Sequence, residues 1–154
     1  RVSPPLRAKS DLEALRQGLR EGVIDAVATD HAPHSLEEKH REFSLAPNGM
    51  IGLETALSLV WTELVLPGLL SKERLVEVMS ARPAQILGRP GGSLRPGDPA
   101  DVVIFDPELE WVVTPAERVS KSKNTPFGGR SLNGKVVSVW VNGNLRYHEG
   151  DFVE

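Results

Sequence analysis

Thr29-Asp30-His31-Ala32-Pro33-His34 gathers a carboxylate and two imidazoles within six residues, the densest cluster of reactive side chains in the sequence. It follows directly on Val23-Ile24-Asp25-Ala26-Val27-Ala28-Thr29, a short and mostly apolar run that suits a strand buried on both faces of a parallel sheet. In a closed α/β barrel, side chains at the C-terminal ends of strands converge on one mouth, where that architecture does its chemistry. A carboxylate there can bind a hard or borderline cation through oxygen, and can take a proton from an attacking water. His34 can then meet an anionic group of a substrate. Asp and His also cap helices and stabilise turns, so spacing alone leaves both uses open.

The elements that must position this cluster are legible from periodicity. Ser10-Asp11-Leu12-Glu13 has capping-box spacing and Leu12, Leu15 and Leu19 recur at helical intervals, which predicts a helix closed by Gly22. Leu53, Ala56, Leu57, Val60, Trp61 and Leu64 trace one helix face ended by Pro67-Gly68. Ser71 opens a further helix bearing Leu75, Val76, Val78 and Met79, and Pro83 suits the first turn of a short one ending at Gly88. Beyond Gly92 the pattern changes to short β-branched runs, Asp101–Phe105, Trp111–Val113 and Lys135–Val141, with Asn142-Gly143 as a hairpin turn. The glycine- and proline-rich stretch from Gly88 to Pro99 marks a junction. The expected organisation is residues 1–90 in an α/β part and 91–154 in an all-β part.

Other polar residues have plainer uses. His31 orients Asp30 or caps the following turn, and His40 and His148 stand isolated and exposed. Glu54 suits the start of a helix, where the dipole favours a carboxylate. Asn124-Thr125-Pro126-Phe127 reads as a turn in the β part. The mixed-charge stretch Glu37–Glu42 is expected in an exposed loop or short helix.

Composition excludes several classes of function. Eighteen Lys and Arg face 21 Asp and Glu, and the balance is −1 before Gly92 (11 minus 12) and −2 after it (7 minus 9), so no basic face for nucleic acid follows. The most apolar stretch, Leu53 to Leu66, is interrupted by Glu54 and Glu63 and falls short of the roughly 20 residues of a membrane span. The absence of Cys excludes disulfides, cysteine nucleophiles and thiolate metal sites, and fits a reducing compartment such as the cytoplasm. Any metal must use His or carboxylates. Arg1-Val2-Ser3-Pro4-Pro5 reads like the middle of a protein and carries no signal-peptide pattern, so a segment of a longer chain is expected.

Three motifs carry a family resemblance. Ser3-Pro4-Pro5-Leu6-Arg7 is similar to an Asn-Pro-Pro-Leu-Arg segment, Asp30-His31-Ala32-Pro33-His34 matches a signature, and Gly49-Met50-Ile51-Gly52-Leu53-Glu54-Thr55 resembles a glycine-bearing loop and helix start. Together they resemble the C-terminal portion of the dihydroorotases, in the amidohydrolase superfamily. Gly92 to Val103 is similar to the return of amidohydrolases into their small β domain. The resemblance implies an α/β fold: the C-terminal part of a (β/α)8 barrel of the metal-dependent hydrolase type, followed by part of a small all-β domain.

The implied activity is the reversible opening of the cyclic amide of dihydroorotate to N-carbamoyl-L-aspartate, in pyrimidine synthesis. The resemblance implies a centre of one or two Zn2+ ions with most ligands upstream, so the 154-residue chain alone is expected to be inactive. By resemblance, Asp30 is both zinc ligand and proton carrier, and His34 holds the substrate carboxylate, a charge-assisted contact that disfavours neutral cyclic amides. Gly49 approaches the substrate through its backbone, and Ser3 and Arg7 stand at further substrate-binding positions. Two residues depart from the family: Ser3 replaces the usual Asn and offers a single hydroxyl, and Asn48 stands where Phe is usual. A helix-flanking surface position is the alternative for Arg7. A homodimer and aspartate transcarbamoylase are the protein partners the resemblance implies. The competing readings are a hydantoinase or allantoinase, and a non-catalytic subunit that scaffolds aspartate transcarbamoylase.

Overall fold

The computed structural model describes residues 1–154, the side chain of Glu117 excepted. Asp11 rather than Ser10 starts the first helix: its carboxylate accepts the Ala8 N–H at 3.2 Å, and α1 (Lys9–Glu21) takes Ser10 into its first turn. Gly22 closes the helix at φ 80°, in the left-handed region, and its N–H donates to Gly18 O.

The expected strand at 23–29 does not form. Its backbone is tied to helices instead, with Val27 N–H donating to Val78 O at 3.0 Å and the Arg74 guanidinium donating to Ile24 O at 2.7 Å and Leu19 O at 2.9 Å. A strand of a parallel sheet needs partners along its edges. Among the described residues, parallel pairing amounts to one isolated bridge, His31 to Met50.

Next come α2 (Leu36–Lys39), the exposed short helix expected of the mixed-charge stretch, and α3 (Ala56–Val60), which runs on through a π-turn at Trp61–Val65. Leu53 falls outside α3 and is 66% exposed, because Gly52 O takes the Thr55 and Ala56 N–H groups in a turn ahead of it. α4 (Lys72–Val76) is capped by the Ser71 hydroxyl and continues through a π-turn, Glu77–Ala81, into α5 (Arg82–Ile86). Pro83 stands in the first turn of the short α5, as expected, and α5 follows the π-turn without a break. The π-turn shifts the bonding register just before it, with Arg82 N–H reaching Glu77 O, and this accommodates a residue that has no N–H to donate. Val60, Trp61, Leu70, Leu75 and Val78 form the core of this helical layer.

After residue 101 the chain is a four-stranded antiparallel meander: β1 (Val102–Val112), β2 (Ser131–Val141), β3 (Asn144–His148) and β4 (Asp151–Phe152). Two of the expected strands are one, β1, whose register slips between Asp106 and Glu110, around the N–H-less Pro107. Asn142 and Gly143 turn with φ 49° and 76°, the pair of left-handed residues that a tight hairpin requires. Trp61 packs edge-on against Phe105 at 5.4 Å between centroids and donates its indole N–H to Pro107 O at 3.2 Å.

Gly134 is the joint between the layers. Its carbonyl accepts both the Ser58 hydroxyl at 2.6 Å and the Trp111 indole N–H at 2.9 Å. Its φ is +80°, and the Phe105 ring fills the space a Cβ would need. Gly134→Ala in the full-length protein is expected to cost about 1–3 kcal/mol from overpacking, with strain from the positive φ added. The shift in urea midpoint measures it, and a change below about 0.5 kcal/mol, the usual range of an exposed substitution, would contradict this role.

Candidate active site

Asp30 turns the chain at φ 44°, a conformation that Asp tolerates better than most residues. Its side chain is exposed, and among the described residues nothing hydrogen-bonds to the carboxylate. The neighbouring imidazole is committed to the backbone: His31 Nδ1 accepts the N–H groups of Gly52 at 3.1 Å and Leu53 at 3.3 Å. The ring proton of neutral His31 therefore lies on Nε2, and His31 caps the distant 52–55 turn instead of the turn that follows it or the Asp30 carboxylate.

His34 lies half-buried with Nε2 2.9 Å from Asn48 O and Nδ1 3.9 Å from the Glu38 carboxylate. The Asn48 carbonyl can only accept, so Nε2 carries a proton, and the Nδ1 edge is turned toward the Glu38 carboxylate. The His34 carbonyl accepts from the Ser122 hydroxyl, and its N–H donates to Asn124 Oδ1 at 3.3 Å. Gly49 is indispensable to the packing of the two loops: φ is +128°, and a Cβ would collide with the Ala32 methyl and stand 3.3 Å from His34 Nε2. Its N–H donates to Arg1 O at 2.9 Å, and the Lys39 ammonium holds Pro47 O and Gly49 O at 3.0 Å each.

The structure thus brings His34 and Gly49 together, with Asp30 on the same loop as His34. Arg7 is 72% exposed and pairs with Asp11 at 3.4 Å, the helix-flanking surface use, and Ser3 is exposed. Glu54 does more than complement a helix dipole. Its two carboxylate oxygens accept the N–H groups of Val119 and Ser120 at 3.0 Å each. Asn124 and Lys39 were not marked as site residues by the sequence. The Asn-Thr-Pro-Phe turn composition was visible, but its contacts to Ala32 and Gly49 lie 92 and 75 residues away.

The cavity beside His31, lined by Ile51, Glu54, Thr55 and Arg118 among others, has a volume of about 10 Å³, room for a single water. Asp30 does not line it and is exposed to solvent. Among the described residues, no three His, Asp or Glu side chains converge as a metal site. A zinc ion takes four ligands, so the residues present do not fit a complete zinc centre.

Residues 2–146 match the model of the amidohydrolase family, and the chain belongs to that family. It is similar to the dihydroorotase of Syntrophus aciditrophicus, 52% identical over 149 residues that cover 97% of this chain and 35% of that protein. It is 50% identical to the dihydroorotase of Acetivibrio thermocellus, with the same 97% and 35% coverage. The solved L-hydantoinase (dihydropyrimidinase) of Arthrobacter aurescens superposes with a TM-score of 0.94 at 34% identity, over 100% of this chain and 35% of that one. A D-hydantoinase (dihydropyrimidinase) from Thermus sp. gives 0.90 at 31% identity, over 99% and 34%. The chain spans about a third of the length of the curated relatives it matches, 34–35%. Its fold class is α/β, part of a metal-dependent hydrolase barrel with a small β domain following it.

Glu38 gives this loop a pH dependence. The Ser35 N–H, at 3.1 Å, and then the Ser35 hydroxyl, at 3.2 Å, hold its carboxyl below the usual glutamate range. A lowered folded-state pKa contributes stability that is present above the ordinary glutamate value and is lost as pH falls through the lowered one. Amide exchange at Glu38, whose N–H donates to Ser35 Oγ, is expected to accelerate on acidification through that window in excess of the intrinsic rate. Glu38→Gln should remove the excess; an unchanged profile would contradict the capping role.

Proposed function

We propose that this chain supplies the proton-carrying and substrate-orienting loop of a dihydroorotase, which opens dihydroorotate to N-carbamoyl-L-aspartate. The observation that carries the reading is the Asp30 carboxylate, unpartnered among the described residues, four positions before a His34 ring whose orientation is set by Asn48 O. In the hydrolytic direction, a water oxygen adds to the amide carbon and the carbon–nitrogen bond breaks. Asp30 accepts the proton the water loses and returns it to the leaving nitrogen, so the carboxylate is regenerated. His34 keeps its Nε2–H on Asn48 O, and on this reading its Nδ1 edge meets the substrate carboxylate in exchange for the Glu38 carboxylate 3.9 Å away. Gly49, whose N–H is taken by Arg1 O and whose carbonyl is taken by Lys39 and Asn124, stays a substrate-side position on this reading through its lack of a side chain, as do the exposed Ser3 and, despite its pairing with Asp11, Arg7.

The amidohydrolases are metal-dependent as a family. Zinc is the ion we propose, with Asp30 as the one donor this chain offers and the others beyond residues 1–154, since no further cluster is present among the described residues. We further propose the division into residues 1–90 and 91–154, a cytoplasmic site of action, a homodimer, and aspartate transcarbamoylase as a partner. Retention of Asp30 and His34 counts against the non-catalytic scaffold. The hydantoinase reading is favoured by the structural neighbours at 31–34% identity, and the dihydroorotase reading by relatives at 50–52%.

In the full-length protein containing this chain, Asp30→Asn is expected to lower kcat on dihydroorotate by about 10²–10⁴-fold, the usual contribution of a positioned acid–base group. His34→Ala is expected to raise KM by about 10–100-fold, the loss of one charge-assisted hydrogen bond. Steady-state kinetics decide both, and turnover unaffected by Asp30→Asn would overturn the assignment.

A further inference from the structure

We propose that Asn124 is a positioning residue: its carboxamide fixes the spacing between the Asp30–His34 loop and the Gly49 loop, and so the place of His34 over the substrate. The inference rests on the dihydroorotase reading for its kinetic consequence, though its structural part stands on geometry alone.

The amide uses its functional groups across both loops. Nδ2 donates to Ala32 O at 2.9 Å and to Gly49 O at 3.2 Å, and Oδ1 accepts the His34 N–H at 3.3 Å. The Asn124 main-chain carbonyl accepts the Ile51 N–H at 3.1 Å. Two donors facing two carbonyls and an acceptor facing an N–H define the amide's orientation, since flipping it would set an oxygen against both carbonyls. The loops it joins approach so closely that Gly49 has no room for a Cβ beside Ala32; they also bond each other directly, Ala32 N–H to Met50 O at 2.9 Å and His34 Nε2 to Asn48 O at 2.9 Å, but among the described residues no other side chain from outside the two loops bonds to both.

Asn124 is itself anchored. The Ser122 hydroxyl donates to His34 O, the Lys123 ammonium holds Arg118 O at 2.7 Å and Ser120 O at 2.8 Å, and the Glu54 carboxylate holds the N–H groups of Val119 and Ser120. Residues 118–125 therefore form a strap running from the α3 entrance to the two site loops. Asp at position 124 would keep the acceptor for His34 N–H but present an anion to two carbonyl oxygens. Ala would remove all three side-chain bonds. Both variants act through His34, so the expected defect lies mainly in KM.

The test uses the full-length protein and two variants, Asn124→Ala and Asn124→Asp, the second keeping the shape in case the first does not fold. Steady-state kinetics with dihydroorotate should show KM raised at least tenfold in both, with a smaller fall in kcat and with metal content unchanged. Amide exchange resolved by residue should accelerate at His34 in both variants and leave the α4–α5 run at its wild-type rate. Loss of active protein with KM unchanged would indicate a merely structural role and overturn the proposal. Wild-type exchange at His34 in both variants would overturn it whatever the kinetics show. If the wild-type protein does not turn over dihydroorotate, the functional reading fails, and the exchange at His34 still decides whether Asn124 sets the loop.

Discussion

Two hydrogen bonds converge on the carbonyl oxygen of Gly134, one from the Ser58 hydroxyl on the helical layer and one from the Trp111 indole within the sheet. This joint fixes where β1 and β2 lie against α3, and hence where the chain leaves β1 at Val112. The Val113 N–H then pairs with Arg130 O at 2.9 Å, closing the base of the excursion that carries residues 114–129 out and back. The strap at 118–125 belongs to that excursion and reaches the site loops because its base is held. Thr62 adds a reciprocal pair with Asn133, donating to its carbonyl and accepting its N–H. The small sheet thus reaches the Asp30–His34 loop through hydrogen bonds between buried or half-buried groups, which are costly to leave unmade.

The site shows an asymmetry between what is held and what is free. Main-chain groups of the two loops are bonded through Arg1, Lys39, Ser122 and Asn124, whereas the Asp30 carboxylate is left without a partner among the described residues. A carboxylate that must accept and return a proton works from a fixed position and an uncommitted oxygen. The loop provides both. It does not provide a water-excluding enclosure, since the adjacent cavity is of the order of one water, about 10 Å³. On the proposed reading, substrate burial and further metal donors are supplied from outside the described residues; the chain covers 34–35% of the length of its relatives.

What the sequence disclosed was local. Gly22, Ser71 and the Asn142-Gly143 turn were legible because each carries its conformational reason in its own side chain, or in the lack of one. The Asp30–His34 cluster was legible through the apolar run before it and the family motif it forms. The run at 23–29 reads as a strand, yet pairing is a property of two segments, and among the described residues no segment pairs with it. Leu53 matched a helix face but fell in the turn that Gly52 O closes. Pro83 was legible as the first turn of a short helix, α5, but composition does not reveal the π-turn that joins it to α4. Lys39, Glu54 and Asn124 act by gripping main-chain groups distant in sequence, and neither periodicity nor spacing encodes such contacts.

On the proposed reading this loop serves a cyclic amide bearing a carboxylate, held by His34. The most direct measurement is kcat/KM of the full-length protein for dihydroorotate against hydantoin, a cyclic amide without that carboxylate, under identical conditions. A preference for dihydroorotate of about 10²-fold or more is expected, because a site built to bond a group rejects the analogue that lacks it. Equal rates, or a preference for hydantoin, would contradict it and assign the loop to a hydantoinase.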